Sequence, residues 1–366
     1  MAGAKRDRRR DAGPSDVSAR LVVSTAEVSG DRLLSELIEA LRDLGAQIPV
    51  IGNVGPLAVA AGATPLPGLV RPPPAMGITE VLRAIPTHRR NRAVLLDTLR
   101  AGDTLLTVDS PDLHTGLARL AKRKGIPTIG YVSPQLWAWR PGRAPAIATA
   151  YDRLLCLFPF EPKMYAGTGL DARWVGHPAI ERVKPSTRES GVLALFPGSR
   201  AAELKRHLPI FLDVAARSGA REVLLAAAPG VELRSLKGVS VVSAAEAMAR
   251  ADRALAKSGT VTLELALAGI PTVVAHRVSP VTYYLGRALV RGVKHIALPN
   301  ILLNRAAVAE YVQAFDAASL VSALDQVAEP PTAELTAVLG QGGASLRAAH
   351  AILAPMQPDP KATQGR

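Results

Sequence analysis

The sequence of 366 residues has little cysteine, few aromatic residues and no long apolar segment. A lone cysteine, Cys156, excludes an intramolecular disulfide framework and a cysteine-rich zinc site, and is typical of a reduced, cytoplasmic protein. Aromatic residues make up 4% of the chain, so the expected core consists mainly of Ala, Val and Leu. No apolar run approaches the roughly 20 residues of a membrane-spanning helix. The 48% content of hydrophobic residues nevertheless excludes a disordered chain.

The N-terminus is basic, and no apolar segment follows it. Residues 1–10 read MAGAKRDRRR, and residues 11–19 lack the hydrophobic stretch of a secretory signal. We therefore predict a disordered basic tail over residues 1–19. The formal net charge of +13 requires an anionic partner. Composition alone leaves nucleic acid, anionic lipid and phosphorylated small molecules open.

Short apolar strands alternate with helical stretches along most of the chain. The first series of predicted strands lies at 21–24, 48–51, 104–108, 128–132 and 154–157. The second series lies at 192–196, 222–226, 239–242, 253–255 and 272–275. This alternation predicts an α/β fold with two Rossmann-like, doubly wound parallel sheets that face each other across a cleft.

The length suggests about two domains. We expect an N-terminal domain over 20–183, a polar linker over 184–191 and a second domain over 192–305. Residues 306–366 are expected to form C-terminal helices, with the last helix at 333–354.

Acidic residues follow two strands of the first domain. Glu27, Ser29 and Asp31 come after the first strand, and Asp109 and Asp112 come after the strand at 104–108. Ligands bind at the carboxyl ends of strands in open α/β sheets, and paired carboxylates can supply a base and a group that orients it. The alternative is that these residues only cap the following helices.

The second domain opens with Gly198, Ser199 and Arg200 directly after a predicted strand. A glycine allows the backbone to approach a phosphate, the helix start offers free N–H groups, and arginine adds a forked positive charge. A plain strand–turn–helix connection does not need arginine here, so this turn favours a phosphate site.

A second helix start in this domain carries Ser258, Gly259 and Thr260, with Glu264 one turn later. Such a start binds anions, and a carboxylate one turn on can reach ribose hydroxyls. The alternative is a capped helix in which Glu264 completes a capping box with Thr260 or lies on the surface. Together with the preceding turn, the pattern predicts a nucleotide diphosphate between two helix starts.

The segment 76–92 (MGITEVLRAIPTHRRNR) combines an apolar stripe with arginines. Its spacing fits an ordinary core-facing helix, but a basic amphipathic helix also lies well on an anionic membrane. The residues of this candidate membrane-docking face are Met76, Ile78, Val81, Leu82, Arg83 and Ile85.

The order of these motifs resembles the lipid-A-disaccharide synthase family, glycosyltransferases of the GT-B type in family 19. The resemblance runs from Leu21 to about Gln313. The blocks that carry it are AEVSGD (26–31), MGITEVL (76–82), DSPD (109–112), YVSPQLWAWRPGR (131–143), VGHP (175–178), LFPGSRAAELKRHLP (195–209), SGTVTLE (258–264), HRVSPVTYYL (276–285) and LPNILLNR (298–305).

The resemblance implies a hexosyltransferase that moves 2,3-diacylglucosamine from its UDP ester to 2,3-diacylglucosamine 1-phosphate with inversion. The implied products are the β(1→6)-linked lipid A precursor and UDP. The family uses no metal for catalysis, so we expect neither a metal site nor a cofactor. The alternative is another GT-B enzyme of UDP-sugars, such as a UDP-N-acetylglucosamine 2-epimerase or the peptidoglycan glucosaminyltransferase.

The resemblance also implies roles for individual residues. Asp112 is the expected base for the acceptor 6-hydroxyl, and Glu27, Ser29, Asp31 and Asp109 are expected to bind the acceptor or orient that base. The expected UDP-sugar residues are Gly198, Ser199, Arg200, Ser258, Gly259, Thr260, Glu264, Asn300 and Arg305.

The acylated substrates imply an enzyme that works at the cytoplasmic face of the inner membrane as a peripheral protein. This favours the docking interpretation of residues 76–92 and explains the positive charge without nucleic acid. The family forms dimers through exchanged C-terminal segments. Residues 306–366 are therefore expected either to return to the first domain or to exchange in a homodimer.

Three positions depart from the family pattern. His114 stands where asparagine is usual, Leu113 where phenylalanine is usual, and Asn304 where glycine is common. His114 adjoins the predicted base, and it is either a proton carrier or a structural residue.

Overall fold

The structure is a computed structural model that describes residues 19–70, 78–139, 141–227, 236, 238–278 and 294–355. The predicted tail up to residue 18 and Met76 lie outside the described residues. So do the side chains at positions 78–84, which include four of the predicted membrane-docking residues.

The first domain contains a parallel sheet. Among the described residues, its strands are β1 Leu21–Thr25, β2 Val50–Asn53, β3 Thr64–Pro65, β4 Thr104–Val108, β5 Thr128–Tyr131, β6 Arg153–Cys156 and β7 Asp171–Trp174, in the order β3-β2-β1-β4-β5-β6-β7. Its helices are α1 Val28–Asp43, α2 Pro56–Ala60, α3 Ile78–Thr98, α4 Pro111–Arg123, α5 Leu136–Trp139, α6 Ala144–Ala148 and α7 Ala179–Arg182. Single 3-10 segments lie at Pro141–Arg143 and Glu161–Tyr165.

The second domain repeats this plan. Its described strands are β8 Val192–Phe196, β9 Glu222–Ala227, β10 Ser240–Ser243, β11 Arg253–Ala256, β12 Thr272–His276 and β13 Ala309–Val312, in the order β10-β9-β8-β11-β12-β13. Its described helices, with those that follow it, are α8 Ala201–Arg217, α9 Ala244–Arg250, α10 Thr260–Leu267, α11 Leu298–Leu303, α12 Ala317–Asp325, α13 Thr332–Leu339 and α14 Ala344–Leu353. The prediction of two doubly wound parallel sheets is confirmed.

Both sheets reverse their winding direction next to their first strand. In the first sheet β1 pairs with β2 on one side and β4 on the other, and in the second sheet β8 pairs with β9 and β11. The crossover connections therefore leave in opposite directions and open a crevice at the carboxyl ends of these strands. All four predicted polar motifs follow β1, β4, β8 or β11, so the fold places each of them at such a crevice.

Apolar side chains cover both faces of each sheet and join the two domains. The strands are continuous runs of Val, Leu, Ile and Ala because parallel sheets are buried on both sides. A further buried cluster combines Phe158 and Ala179 of the first domain with Leu263, Leu298 and Leu335. The two domains therefore share an apolar contact.

The prediction of a single C-terminal helix over 333–354 is wrong. The chain forms α13 and α14 instead, and the break falls where Gly340 and Gly343 adopt positive φ angles of 79° and 89°. Glycine takes this conformation at little cost, whereas an uninterrupted helix excludes it. The strand β13 also lies beyond the expected domain boundary at residue 305 and pairs with β12.

The helix α14 packs on the first domain of its own chain. Ala348, Ala349 and Ala351 are buried in the cluster that lines α1. Arg153, fully buried in β6, donates to the carbonyl oxygens of Ala354 and Pro355. A C-terminal exchange between two copies would have to break these contacts, and the homodimer stays a prediction.

No described helix has the length and apolar character needed to cross a membrane.

The carboxyl group of Glu161 predicts a pH dependence of stability. Burial raises the pKa of Glu161 to about 7 from an ordinary value of 4.5, although its carboxylate accepts a hydrogen bond from the amide of Phe158. Because the folded pKa lies above the unfolded one, the folded state holds the extra proton. The contribution of Glu161 to stability is greatest below about pH 4.5 and falls by about 3 kcal/mol as the pH rises through 7.

The test compares the thermal midpoints of the wild type and Glu161→Gln at pH 5 and pH 8. We expect the wild type to lose more stability over this interval than the variant, since glutamine cannot ionise. Equal losses in the two proteins would contradict this assignment. Glu329→Gln, which changes an exposed carboxylate, serves as the matched control.

Candidate active site

Of the residues after β1, Glu27 lies at the candidate site and Asp31 has a structural role. Glu27 lies at the N-cap of α1, at the edge of the cleft. Asp31 is buried, and its carboxylate accepts hydrogen bonds from the backbone amides of Gly55 at 2.6 Å and Leu57 at 3.0 Å. It therefore satisfies free N–H groups at the start of α2, the position where an acidic side chain is most stabilising. Asp31 therefore has the alternative role of a capping residue, but the helix that it caps is α2 and not α1.

The loop after β4 is strained next to the predicted base. Asp109 and Ser110 have φ angles of 58° and 48°, a left-handed conformation that is uncommon for residues with a side chain. The hydroxyl of Ser29 donates to the carboxylate of Asp109 at 3.1 Å, and the amide of Ser110 donates to the same carboxylate at 2.7 Å. Strain of this kind clusters at functional sites and persists only where surrounding contacts hold it.

His114 is one of the contacts that hold this loop. Its Nδ1 lies 2.7 Å from the carbonyl oxygen of Asp109, and its Nε2 lies 3.1 Å from the hydroxyl of Ser24. A carbonyl only accepts, so Nδ1 carries the proton. Burial lowers the pKa of His114, which favours the neutral ring. Of the two predicted roles, the geometry supports the structural one.

Asp112 lies in the first turn of α4 and is open to solvent. Its side chain is 80% exposed, and its carboxylate pairs with the guanidinium of Arg143 at 2.8 Å. The sequence did not single out Arg143, although it ends the block at residues 131–143. The pair holds a carboxylate in a fixed direction while leaving its other oxygen accessible to a substrate hydroxyl.

The turn after β8 requires its glycine. Gly198 has a φ of 118°, and an added Cβ would lie 2.4 Å from the carboxylate of Glu203. Glu203 is buried and accepts hydrogen bonds from the amide of Ser199 at 3.0 Å and from Lys257 at 2.9 Å, and it pairs with Arg200 at 3.5 Å. Burial opposes its charge, but Lys257 and Arg200 hold the pKa of Glu203 below its ordinary value. This carboxylate fixes the shape of the predicted phosphate turn.

The start of α10 lies beside that turn. Gly259 is the N-cap, Thr260 is the first helical residue, and the hydroxyl of Ser258 donates to the carbonyl of Ile296 at 2.7 Å. Backbone N–H groups at this start therefore face the crevice without a capping side chain. Lys257 adds a positive charge that the sequence did not single out, although it precedes Ser258 directly.

Glu264 lies in the interface between the domains. It is buried, and its carboxylate pairs with Arg182 of α7, which also pairs with Glu36 of α1 at 2.8 Å. Neither of the alternatives, a capping box with Thr260 or a surface position, matches this arrangement. The shared arginine therefore fixes the direction of the Glu264 carboxylate.

The two halves of the site meet across the cleft. Arg200 of the second domain pairs with Glu27 of the first. Glu27 also lines a cavity of about 610 Å³ that contains Asp112 and His114. The predicted phosphate arginine therefore lies at the entrance to the cavity that holds the predicted base.

Asn300 and Arg305 lie farther along the second domain. Asn300 is fully buried. Its side-chain oxygen accepts hydrogen bonds from the amides of Ala307 and Val308, and its nitrogen donates to the carbonyl of Val308, so it orders the turn to β13. Arg305 is half exposed and pairs with Glu334 of α13 at 2.8 Å. The geometry therefore supports structural roles for both. Asn304 has a φ of 50°, a conformation in which asparagine replaces glycine most readily.

The cavity has α3 as one wall. Ile85, which we predicted on the membrane-docking face, lines the cavity together with Arg89 and Arg92. Among the described residues, no group of three His, Cys, Asp or Glu side chains is arranged to hold a metal ion.

The fold is shared with known glycosyltransferases. Arabidopsis thaliana UGT89C1, solved with UDP, superimposes with a TM-score of 0.58 at 16% identity, covering 93% of this chain and 99% of that one. The calicheamicin glycosyltransferase CalG4 gives 0.56 at 13% identity, covering 92% and 100%. At such identities the likeness shows the fold alone. Two facing doubly wound domains of this kind define a GT-B glycosyltransferase fold.

Sequence comparison identifies the family. The family described as Lipid-A-disaccharide synthetase (LpxB) matches residues 21–328. The lipid-A-disaccharide synthase of Alkalilimnicola ehrlichii is 36% identical, covering 92% of this chain and 98% of the relative. That of Neisseria meningitidis serogroup C is 37% identical, covering 81% and 85%. The chain belongs to the lipid-A-disaccharide synthase family, and the predicted family is confirmed.

Proposed function

We propose that this chain transfers 2,3-diacylglucosamine from its UDP ester to 2,3-diacylglucosamine 1-phosphate. The products are a β(1→6)-linked disaccharide and UDP. Family membership supports the lipid A disaccharide-forming reaction and does not favour another UDP-sugar enzyme. The structural observation that carries the proposal is the junction of Arg200 with Glu27 at the mouth of the cavity containing Asp112.

The second domain holds the donor in this proposal. The diphosphate lies between the turn Gly198–Arg200 and the start of α10, where Arg200, Lys257 and backbone N–H groups converge. These positive groups stabilise the charge that develops on the diphosphate as its bond to the sugar breaks. Stabilisation of this kind is usually the largest single contribution to catalysis. Arg182 orients the carboxylate of Glu264 so that it accepts hydrogen bonds from the ribose hydroxyls.

The first domain supplies the base. Asp112 takes the proton of the acceptor 6-hydroxyl while that oxygen attacks the anomeric carbon on the face opposite UDP. The bond to UDP breaks, its electron pair leaves with the diphosphate, and the configuration inverts from α to β. Arg143 keeps the Asp112 carboxylate directed at the cavity. The strained loop at Asp109 sets the position of the Asp112 backbone.

Glu27 links the two substrates. Its carboxylate pairs with Arg200, so a diphosphate must compete with it for the same guanidinium. Donor binding would then release Glu27 toward the acceptor cavity that it lines. In this proposal Glu27 is a positioning residue that couples donor binding to acceptor binding.

The acyl chains bring the enzyme to the membrane. Each buried methylene contributes about 0.8 kcal/mol to membrane partitioning, so both substrates stay in the bilayer. We propose that the N-terminal part of α3 docks on the cytoplasmic face of the inner membrane and that the protein associates with it peripherally. Later residues of the same helix line the cavity, so a docked α3 would keep the acceptor space next to the membrane.

The reaction is tested by UDP release in mixed micelles with donor alone, with donor and acceptor, and with an acceptor methylated at its 6-hydroxyl. We expect rapid release only with the free 6-hydroxyl. Equal release in all three mixtures would indicate hydrolysis of the donor. Absence of release despite UDP binding would contradict the transfer.

A further inference from the structure

The face of α3 toward the cavity carries a regular set of side chains. Ile85, His88, Arg89 and Arg92 follow the spacing i, i+3, i+4, i+7, which puts them on one side of a helix. All four line the cavity of about 610 Å³. Asp112, the proposed base, lines the same cavity from α4. The basic groups and the proposed base therefore lie in one cavity.

Hydrogen bonds of Asn91, which lies between Arg89 and Arg92 in the sequence, hold this face of α3 in place. Asn91 is buried, its amide nitrogen donates to the carbonyl of Val70 at 2.6 Å, and its oxygen accepts from the amide of Val70 at 3.1 Å. These two hydrogen bonds fix the rotation of α3 about its axis. An added Cβ at Gly116 would lie 3.7 Å from a guanidinium nitrogen of Arg92, so Arg92 reaches over α4.

The charges in the cavity are unevenly paired. Glu27 pairs with Arg200 and Asp112 pairs with Arg143. Neither Arg89 nor Arg92 forms an ion pair with another residue in the described part of the chain. Partial burial lowers the pKa of His88, so it adds hydrogen bonding and little charge at neutral pH. The α3 wall therefore offers two guanidinium groups to an anion that enters the cavity.

We propose that Arg89 and Arg92 form the subsite for a phosphate monoester on the acceptor sugar. The inference rests on the proposed function, which places the acceptor in this cavity. Guanidinium groups bind phosphate through forked, charge-assisted hydrogen bonds. An acceptor anchored by its 1-phosphate on α3 presents its far end, with the 6-hydroxyl, to Asp112 on α4. A phospholipid headgroup has the same phosphate chemistry, and the experiment separates the two sources.

The test measures acceptor KM for Arg89→Gln and Arg92→Gln in non-ionic micelles free of phospholipid. We expect each KM to rise by about 10- to 100-fold while the donor KM stays unchanged. The matched control is Arg90→Gln, an exposed arginine of the same helix that does not line the cavity. An acceptor with a free 1-hydroxyl provides the second readout. The wild type should prefer the phosphorylated acceptor, and both variants should lose that preference.

Each contrary result points to a different error. Active variants that keep the preference for the phosphorylated acceptor would overturn the subsite and leave the proposed function standing. If the acceptor KM of all three variants, Arg90→Gln included, is unchanged in these micelles and rises equally once anionic phospholipid is added, the arginines bind headgroups and the subsite is overturned. A wild type without acceptor-dependent UDP release would overturn the proposed function. Titration with glucosamine 1-phosphate against glucosamine would then decide the subsite alone, since only the wild type, and not Arg92→Gln, should prefer the phosphate.

Discussion

Asp112→Asn is expected to lower kcat by about 10²- to 10⁴-fold, the usual contribution of a well-placed general base. The side chain is 80% exposed and its partner Arg143 lies on the surface of the same domain, so the substitution should fold normally. Asparagine keeps the size and the hydrogen bond to Arg143 but cannot accept the proton of the 6-hydroxyl. The affinity for UDP should not change, because UDP binds in the other domain.

The measurement is kcat at saturating donor and acceptor, with the Kd of UDP determined by titration. Asp97→Asn, an exposed carboxylate on α3, serves as the matched control and should keep wild-type kcat. An unchanged kcat in Asp112→Asn would exclude this residue as the base. Collapse of UDP binding together with kcat would indicate damage to the fold.

Arg200 carries the second large effect. Arg200→Gln is expected to lower kcat by about 10²- to 10³-fold, because the guanidinium stabilises charge that appears on the diphosphate only as the bond breaks. Arg200→Lys keeps the positive charge but loses the forked geometry, so it should recover part of that loss. Glu203 and Lys257 remain to hold the turn in both variants.

The experiment compares kcat and the Kd of UDP in the two variants with Arg217→Gln, a surface change at the far end of α8. A fall in kcat that lysine partly restores supports transition-state stabilisation. An identical kcat in the wild type and Arg200→Gln, with only the Kd of UDP raised, would restrict Arg200 to binding.

Much of the fold follows from local patterns in the sequence. The strands β4 and β8 occupy the predicted residues, because each is an apolar run bounded by polar turn residues. The alternation of strands and helices predicts two parallel sheets, and the positions of the polar motifs after strands predict the crevice. These features depend on neighbours in the chain, which a single sequence contains.

Features that depend on distant contacts were not predictable in this way. The edge strands β7 and β13 are half exposed and lack an apolar run. The pairs Asp112 with Arg143 and Glu27 with Arg200 join residues 31 and 173 positions apart. Asp31 resembled a site residue because its motif adjoins the cleft, yet it caps a helix that begins 25 positions later. Only the folded arrangement distinguishes these roles.

The most direct test of the proposed reaction is the structure of its product. Donor and acceptor are incubated with the wild type, and the disaccharide is examined by mass spectrometry and by proton NMR at the new anomeric centre. The account predicts one sugar added through the acceptor 6-oxygen, with a β configuration that shows inversion. An α configuration, or a linkage to another oxygen, would contradict the roles proposed for Asp112 and the opposing diphosphate site.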